Sequence, residues 1–297
     1  MTPEAVVPVK HVSDLAFVVA ASRAVESIRQ DARFYDPYAE LLAGEHGRVL
    51  QSRFPRFEVM EWLMALRTAA LDELILKLVA SGVDTVVNLA AGLDARPYRL
   101  NLPPNLIWLE ADLAPLMEYK ANRLIGFSPS CQLRRIKIDL TDEEARRGFF
   151  REIDEHATAT LVITEGLLPC LERRVVSTLA DELRQGKTFT WWLMDMISPA
   201  LIGHLRELWR EGLRDGGLEL PFDMAEGPSF FSRYQWHLTV FRSFEDESRD
   251  SGRLPPTCTA LERTALLHSL AGSGIALFQT PAQGARKTRF NPPARKL

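Results

Sequence analysis

Apolar and polar residues follow a helical period through the first part of the chain. Between residues 14 and 80, apolar side chains recur at helical spacing, and Gly82 stops the last of these helices. A short helix is predicted from Pro37, in its first turn, to Gly44 at its end. Residues 1–82 are therefore predicted to form an amino-terminal helical cap.

From Thr85 short apolar segments alternate with amphipathic ones, which is typical of an α/β protein with a parallel, doubly wound sheet. Residues 83–297 are predicted to form this core, with an insertion at about 197–235 over the carboxyl ends of the strands. Thr141 and Glu144 have the spacing of a capping box at a helix start. The predicted strands are 85–89, 106–111, 132–138, 159–164, 188–195, 234–243 and 272–280, and the predicted helices are 115–125, 142–154, 172–185, 200–214 and 260–271.

Composition argues against several classes of function. The 297 residues carry a net charge of −3, which gives no attraction for nucleic acid or an anionic membrane. No apolar run reaches the length of a membrane span, and the amino terminus lacks the pattern of a signal peptide. Cys131, Cys170 and Cys258 show neither metal-ligand nor disulfide spacing. The sequence predicts a cytoplasmic protein without a metal centre, and it indicates no oligomeric state.

The first predicted strand ends in small residues and a carboxylate, in the stretch VVNLAAGLDARPYRL. Ligands of open α/β sheets bind at the carboxyl ends of strands, where Gly92 lets backbone approach a ligand closely. Asp94 follows at the predicted mouth of the site. A turn that simply requires small residues explains the Ala-Ala-Gly sequence at residues 90–92 equally well. The dinucleotide fingerprint G-x-G-x-x-G is absent, which weakens the case for a nicotinamide oxidoreductase.

Three further strands end in acidic residues. Asp112 lies about 20 residues after the glycine turn, where a carboxylate suits a ribose diol; Glu110 is a rival, and Asp112 could instead cap the following helix. Asp139 could present a carboxylate to an adenine base, or it could belong to the next helix start. Glu165, followed by a glycine, is costly to bury without a partner and is a site candidate.

Four stretches, VVNLAAGLDARPYRL, EADLAPLMEYKANRL, IKIDL and VITEGLLPCL, resemble successive motifs of the leucine carboxyl methyltransferase family. The closer likeness is to its bacterial branch, which includes polyketide O-methyltransferases of the tetracenomycin type. The resemblance implies a class I methyltransferase fold, Rossmann-like, with a mostly parallel seven-stranded sheet and S-adenosylmethionine as cofactor. The sequence departs from the family at Ala90, where glycine is usual, and at Cys170, where an aromatic residue is usual.

The resemblance also implies roles for individual residues. Two arginines would hold the methionine carboxylate, strand-end residues would hold the nucleoside, and one glutamate would lie near the methionine amino group and the transfer centre. The implied cofactor residues are Arg23 and Arg67 for the carboxylate, Ala90, Ala91, Gly92 and Asp94 around the methionine portion, Asp112 and Leu113 at the ribose, Asp139 and Leu140 at the adenine, and Glu165 and Gly166 at the transfer centre.

A small-molecule acceptor methylated on oxygen is the leading hypothesis. A carboxylate acceptor is already ionised at neutral pH and needs only positioning, whereas a phenol would profit from a base. His237 and His204 are weak candidates for that base. The acceptor pocket is predicted in the insertion, lined by Phe230, Phe231 and Tyr234. Alternatives are a protein carboxyl methyltransferase acting on a terminal leucine and a non-catalytic scaffold that binds S-adenosylmethionine.

Overall fold

The computed structural model describes residues 13–52, 56–208, 220–222, 224–253 and 259–281. Seven strands alternate with helices and form one sheet. The strands are β1 Thr85–Leu89, β2 Ile107–Asp112, β3 Gln132–Lys137, β4 Thr160–Thr164, β5 Phe189–Met196, β6 His237–Ser243 and β7 Gly274–Gln279. The helices are α1 Asp14–Ser27, α2 Ala39–Gln51, α3 Phe57–Ala80, α4 Arg96–Arg99, α5 Ala114–Arg123, α6 Glu143–His156, α7 Arg173–Gln185, α8 Pro199–Leu208, α9 Ser229–Ser232, α10 Phe244–Ser251 and α11 Ala260–Ser269.

The strand order is β3-β2-β1-β4-β5-β7-β6, with β1 to β5 parallel and β7 antiparallel to both of its neighbours. The prediction of a mostly parallel, seven-stranded α/β sheet is confirmed. The order reverses between β1 and β4, and ligands of such sheets bind outside the carboxyl ends of the strands at this point. The topology therefore places the candidate carboxylates of β1, β2 and β4 around one crevice.

Two apolar clusters cover the two faces of the sheet. Trp191 and Trp192 are adjacent in β5 and enter opposite clusters, because successive side chains of a strand point to opposite faces. Helix α3 contributes side chains along most of its length to the first cluster. It is therefore packed into the core, while α1 and α2 pack mainly on each other. In the described part of the chain, no helix is long and apolar enough to cross a membrane.

Two predicted helix boundaries are wrong. Helix α2 begins at Ala39, and Gly44 forms a kink inside it, with φ of 56°, where a stop was predicted. Helix α6 is capped by Asp142, whose carboxylate accepts a hydrogen bond from the Ala145 amide at 3.0 Å. Thr141 lies one residue before the cap, and its amide and hydroxyl both donate to Asp139.

The end of the predicted helix 200–214 falls on residues 209–214, outside the described residues. The part that is described, α8, ends at Leu208.

The predicted acceptor pocket at Phe230, Phe231 and Tyr234 is wrong. Phe231 is fully buried, with its ring centroid 5.2 Å from that of Trp192 and 5.1 Å from that of Phe278. Phe230 is buried in the same cluster, and Tyr234 packs against it. These rings fill the core beside β5, because their apolar area is better removed from water there than left in a pocket wall.

Replacing Phe231 with alanine should lower the free energy of unfolding by about 3–5 kcal/mol, because truncation leaves a cavity in a close-packed cluster. Urea denaturation measures this loss. Phe127→Ala, at a ring that is 47% exposed, is the control, and it should cost about 1 kcal/mol or less. Equal small losses in both variants would place Phe231 outside the core.

Candidate functional site

A cavity of about 380 Å³ lies at the carboxyl ends of β1, β2, β4 and β5. The strand ends and the turns that follow them form one wall, and α1, α3 and α8 form the other. All twelve residues that the resemblance assigns to a cofactor line this cavity: Arg23, Arg67, Ala90, Ala91, Gly92, Asp94, Asp112, Leu113, Asp139, Leu140, Glu165 and Gly166.

The turn after β1 has an unusual backbone. Ala90 and Gly92 both have positive φ, at 53° and 50°. An alanine in this region costs about 1–2 kcal/mol relative to glycine, yet the turn forms here without a glycine at Ala90. A Cβ on Gly92 would lie 3.3 Å from the Cβ of Ala16 in α1, a tight contact. Gly92 therefore lets α1 approach the turn closely.

Asp112 and Glu110, rivals for the ribose in the sequence, have different environments. Asp112 lines the cavity and accepts hydrogen bonds from the backbone amides of Gly92 and Leu113, both at 2.7 Å. Burial raises its pKa, against the effect of these amides and of Lys120. Glu110 is fully buried, 2.8 Å from Lys120 and 3.0 Å from Arg135, and it does not line the cavity. The structure therefore favours Asp112 as the carboxylate available to a ligand.

Asp112 has lone pairs left for a ligand. A carboxylate offers about four acceptor sites, and the two backbone amides fix its orientation. It does not cap α5, whose N-cap is Leu113. This geometry agrees with a carboxylate held ready for two hydroxyl donors.

Asp139 and Leu140 lie at the far end of the cavity, after β3. Asp139 is exposed, and hydrogen bonds from the Thr141 hydroxyl and amide lower its pKa. The side chain of Leu140 is buried and faces the cavity as an apolar wall. A carboxylate beside an apolar wall is chemically suited to an adenine ring, with its exocyclic amine and flat apolar faces.

Glu165, at the end of β4, is shared by two buried arginines. The Nη1 of Arg96 donates to its Oε2 at 2.6 Å, and the Nε of Arg67 lies 2.9 Å from its Oε1. Burial alone would raise the pKa of Glu165, but Arg96 and Arg67 outweigh that effect and lower it. Glu165 is therefore an anion at the centre of the cavity wall.

Arg96 joins Glu165 to two more carboxylates. It donates to Asp94 at 3.0 Å and to Asp72 of α3 at 2.6 Å. Burial opposes ionisation of Asp94, but Arg96 outweighs it and holds the pKa of Asp94 well below its usual range. Asp94 also accepts from the Asn88 side chain at 2.9 Å. It therefore holds the β1 turn in place as well as lining the cavity.

Sequence reasoning missed Asp195, which is fully buried near the end of β5 and lines the cavity. Its Oδ2 accepts from Arg67 Nη1 at 3.0 Å, and its Oδ1 accepts from the Gly166 amide at 2.8 Å. Burial raises its pKa, and Arg67 offsets this only in part. A carboxylate at the end of an apolar strand was the available signal, the same one that marked Glu165.

The two arginines expected at a methionine carboxylate both reach the cavity. Arg23 of α1 pairs with Asp36 at 2.9 Å and donates to the Leu93 carbonyl at 2.6 Å. Arg67 pairs with Glu165 through Nε at 2.9 Å and with Asp195 through Nη1 at 3.0 Å. Both arginines therefore line the cavity while paired with carboxylates of the chain.

Neither histidine proposed as a base lies at the cavity. His237 is exposed on β6, an edge strand away from the crevice. His204 is on α8, but its helix neighbours Leu201 and Leu205 line the cavity while His204 does not. Burial lowers the pKa of His204, with a contribution from Arg56. Across the described residues, no histidine, lysine or tyrosine lines the cavity.

The strand order and the carboxylate-lined cavity at the switch point define a class I methyltransferase. The family model of leucine carboxyl methyltransferase matches residues 16–184. The chain belongs to this family, as the four motifs predicted. It is 33% identical over 280 residues to a protein of Mycobacterium sp. strain KMS, covering 86% of this chain and 92% of that protein. That relative is named as an S-adenosylmethionine-dependent methyltransferase, and the same cofactor is predicted for this chain.

Solved structures agree on the fold. A DUF574 family protein of Streptomyces avermitilis superposes with a TM-score of 0.57 at 10% identity, covering 92% of this chain and 98% of that one. A protein of Thermobifida fusca named as a methyltransferase gives 0.55 at 14% identity, covering 90% and 94%. At this level of identity the likeness shows the fold alone.

Asp112→Ala should weaken binding of S-adenosylhomocysteine about 100-fold, because hydrogen bonds to a charged group are worth about 1.5–3 kcal/mol each. Isothermal titration calorimetry measures the affinity. The control is Glu118→Ala, which removes an exposed carboxylate of α5 paired with Lys137 at 2.6 Å and should leave the affinity unchanged. Wild-type affinity in Asp112→Ala would place the nucleoside elsewhere.

Glu165→Gln should lower the free energy of unfolding by about 3 kcal/mol near neutral pH, because it leaves two buried arginines short of a partner. The pKa of Glu165 in the folded protein lies below its ordinary value of 4.5. Its contribution to stability is therefore present above about pH 4.5 and is lost as pH falls through the folded pKa. The stability gap between wild type and variant should shrink when denaturation is repeated in acid.

Asp195→Asn is the control, because the pKa shift of Asp195 is opposite in direction to that of Glu165. The pKa of Asp195 in the folded protein is raised above 3.8, so ionisation of Asp195 costs stability as pH rises through that folded pKa. Relative to Asp195→Asn, the wild type should lose stability as pH rises above about 3.8, whereas relative to Glu165→Gln it should gain stability as pH rises toward about 4.5. The same slope for both variants would contradict the two opposite pKa shifts.

Proposed function

We propose that the protein is an S-adenosylmethionine-dependent O-methyltransferase that esterifies the carboxylate of a small molecule. The observation that carries this proposal is a cavity at the strand ends in which, among the described residues, no histidine, lysine or tyrosine is present to deprotonate an acceptor. A cavity walled by strand ends on one side and by helices on the other favours a small-molecule acceptor over a protein surface.

The residues present fit the cofactor. Asp112 keeps acceptor sites for the ribose hydroxyls, and the guanidinium groups of Arg67 and Arg23 line the cavity where they would attract the methionine carboxylate. Asp139 and Leu140 would receive the adenine, and Glu165 would face the methionine ammonium. When bound, S-adenosylmethionine supplies an electrophilic methyl group on a cationic sulfonium. An anionic wall stabilises such a cation.

A phenolic acceptor would require a proton acceptor, and the cavity offers a poor one. Glu165 and Asp94 have lowered pKa values and are bound by Arg96. Burial raises the pKa values of Asp195 and Asp112, but Asp195 is fully buried against Arg67 and the Gly166 amide, and Asp112 is assigned to the ribose hydroxyls. The Cys170 thiol is also at the cavity, but burial raises its pKa to about 11, so it is protonated at neutral pH. A phenol with a pKa near 10 would stay protonated beside these groups. A carboxylate, with a pKa near 4, arrives as the anion.

The proposed step moves no proton. A carboxylate oxygen of the acceptor bonds to the methyl carbon, and the electron pair of the broken carbon–sulfur bond stays on sulfur. The products are a methyl ester and S-adenosylhomocysteine. The protein contributes by holding the acceptor in line with that bond and by excluding water, which together account for a large part of the barrier in such reactions.

A non-catalytic scaffold is the alternative that the departure from the family's glycine at Ala90 would favour. The turn at Ala90 adopts the left-handed backbone that a glycine would favour, and the cavity below it is open. The backbone at Ala90 therefore gives no support to the hypothesis that an alanine in this turn closes the cofactor site. Arg67, Asp112 and Glu165 all line the cavity, in agreement with an active methyltransferase.

Methyl transfer to a carboxylic acid should show a rate that is nearly independent of pH between about pH 6 and pH 9, because the acceptor is ionised throughout. Transfer to a phenol of similar size should be slower, and its rate should rise with pH. Both rates are measured with radiolabelled S-adenosylmethionine and a panel of small acids and phenols. Faster methylation of phenols than of acids at neutral pH would overturn the carboxylate assignment.

A further inference from the structure

The half of the cavity opposite the strand ends is almost entirely aliphatic. We define the aliphatic chamber by five half-buried side chains: Leu15 and Val19 of α1, Met60 of α3, Ile197 after β5, and Leu205 of α8. All but Leu15 pack against the first core cluster. Their remaining apolar surface faces a concave space, and covering it is worth about 25 cal/mol per Å².

Helices α1 and α3 connect this chamber to the charged wall. On α3, Met60, Met64 and Arg67 share one face at i, i+4 and i+7, and all three line the cavity. On α1, Leu15, Val19 and Arg23 share one face in the same way. In both helices the side chains change from aliphatic at the amino-terminal end to arginine further along.

The distance along each helix from the aliphatic side chains to the arginine sets the length of the chamber. At 1.5 Å per residue, Met60 lies about 10 Å along α3 from Arg67, and Leu15 lies about 12 Å along α1 from Arg23. A ligand whose reacting group reaches the charged wall can therefore extend an apolar body about 10 Å into the chamber.

Few polar groups face the chamber. Apart from the two arginines at the charged wall, the polar lining residues of α1, α3 and α8 in the described chain are Ser13 and Arg206 at the helix ends. A second polar group on the ligand would lose its water in the chamber without a partner, at a cost of about 1–3 kcal/mol. Methionine and leucine side chains adapt to flexible chains, and Phe244 is the single aromatic ring among the described lining residues.

We propose that the aliphatic chamber binds the hydrocarbon chain of the methyl acceptor, which is an aliphatic monocarboxylic acid. This inference rests on the proposed carboxylate O-methyltransferase function. The carboxylate lies at the strand ends beside the cofactor, and the chain runs between α1, α3 and α8. The product is the methyl ester of that acid.

A homologous series of straight-chain acids from butanoate to dodecanoate tests the proposal. The value of kcat/KM for methyl transfer should rise about fourfold per added methylene, the factor that corresponds to about 0.8 kcal/mol per buried CH₂. It should level off once the chain fills the chamber. Calorimetric titration of the same acids into protein saturated with S-adenosylhomocysteine should show affinity rising in parallel.

Two polar variants locate the effect in the chamber. Met60→Gln and Leu205→Asn place polar amide atoms in the chamber on side chains of similar shape, so in both variants kcat/KM for dodecanoate should fall about tenfold or more relative to kcat/KM for butanoate. Leu261→Asn makes the same change on α11, at a side chain that is 82% exposed and outside the cavity. This control should keep the wild-type dependence.

The outcomes separate this inference from the proposed function. If S-adenosylhomocysteine binds and short polar acids are methylated as well as dodecanoate, the proposed function stands and the aliphatic acceptor is wrong. If S-adenosylhomocysteine binds but no acid in the series is bound or methylated, the aliphatic acceptor is also wrong. Absence of S-adenosylhomocysteine binding would overturn the proposed function itself. A chain-length dependence unchanged in Met60→Gln and Leu205→Asn would place the chain outside the chamber.

Discussion

Two buried arginines, Arg67 and Arg96, hold the carboxylates of three strand ends in the interior, and the shape of the cavity depends on them. An isolated buried ion costs several kcal/mol, so Asp94, Glu165 and Asp195 are tolerable only where guanidinium groups reach them. Arg67 comes from α3, whose other face is packed into the core. The contacts that satisfy these carboxylates therefore also fix the distance between the sheet and the helix above it.

This arrangement divides the cavity into two chemically different halves. The half at the strand ends is anionic and polar, which suits a cationic sulfonium and a nucleoside. The half between the helices is aliphatic, which suits an apolar acceptor body. Arg23 and Arg67 mark the border on α1 and α3. Methyl transfer from the cofactor in one half to the acceptor in the other requires no base from the protein if the methyl acceptor is already an anion.

The sequence predicted the strands and the polar wall because both depend on local patterns. Gly92, Asp112 and Glu165 each follow an apolar segment, and topology brings the ends of such segments together. Asp195 follows the same rule but was overlooked within a long apolar strand. Phe231 was misplaced, because composition alone does not distinguish an aromatic ring in a pocket wall from one in the core. The aliphatic chamber also could not be predicted, since it forms from three helices that only tertiary packing brings together.

The proton balance of a single turnover tests the central claim most directly. Excess protein is mixed with S-adenosylmethionine and dodecanoate in weakly buffered solution containing a pH indicator, and the ester is quantified by mass spectrometry. The account predicts that methyl dodecanoate forms with no net release of protons, because the acceptor is already an anion and no group of the protein changes its charge. Absence of methyl dodecanoate, while a phenol of similar size is methylated with release of about one proton per methyl group transferred, would contradict it.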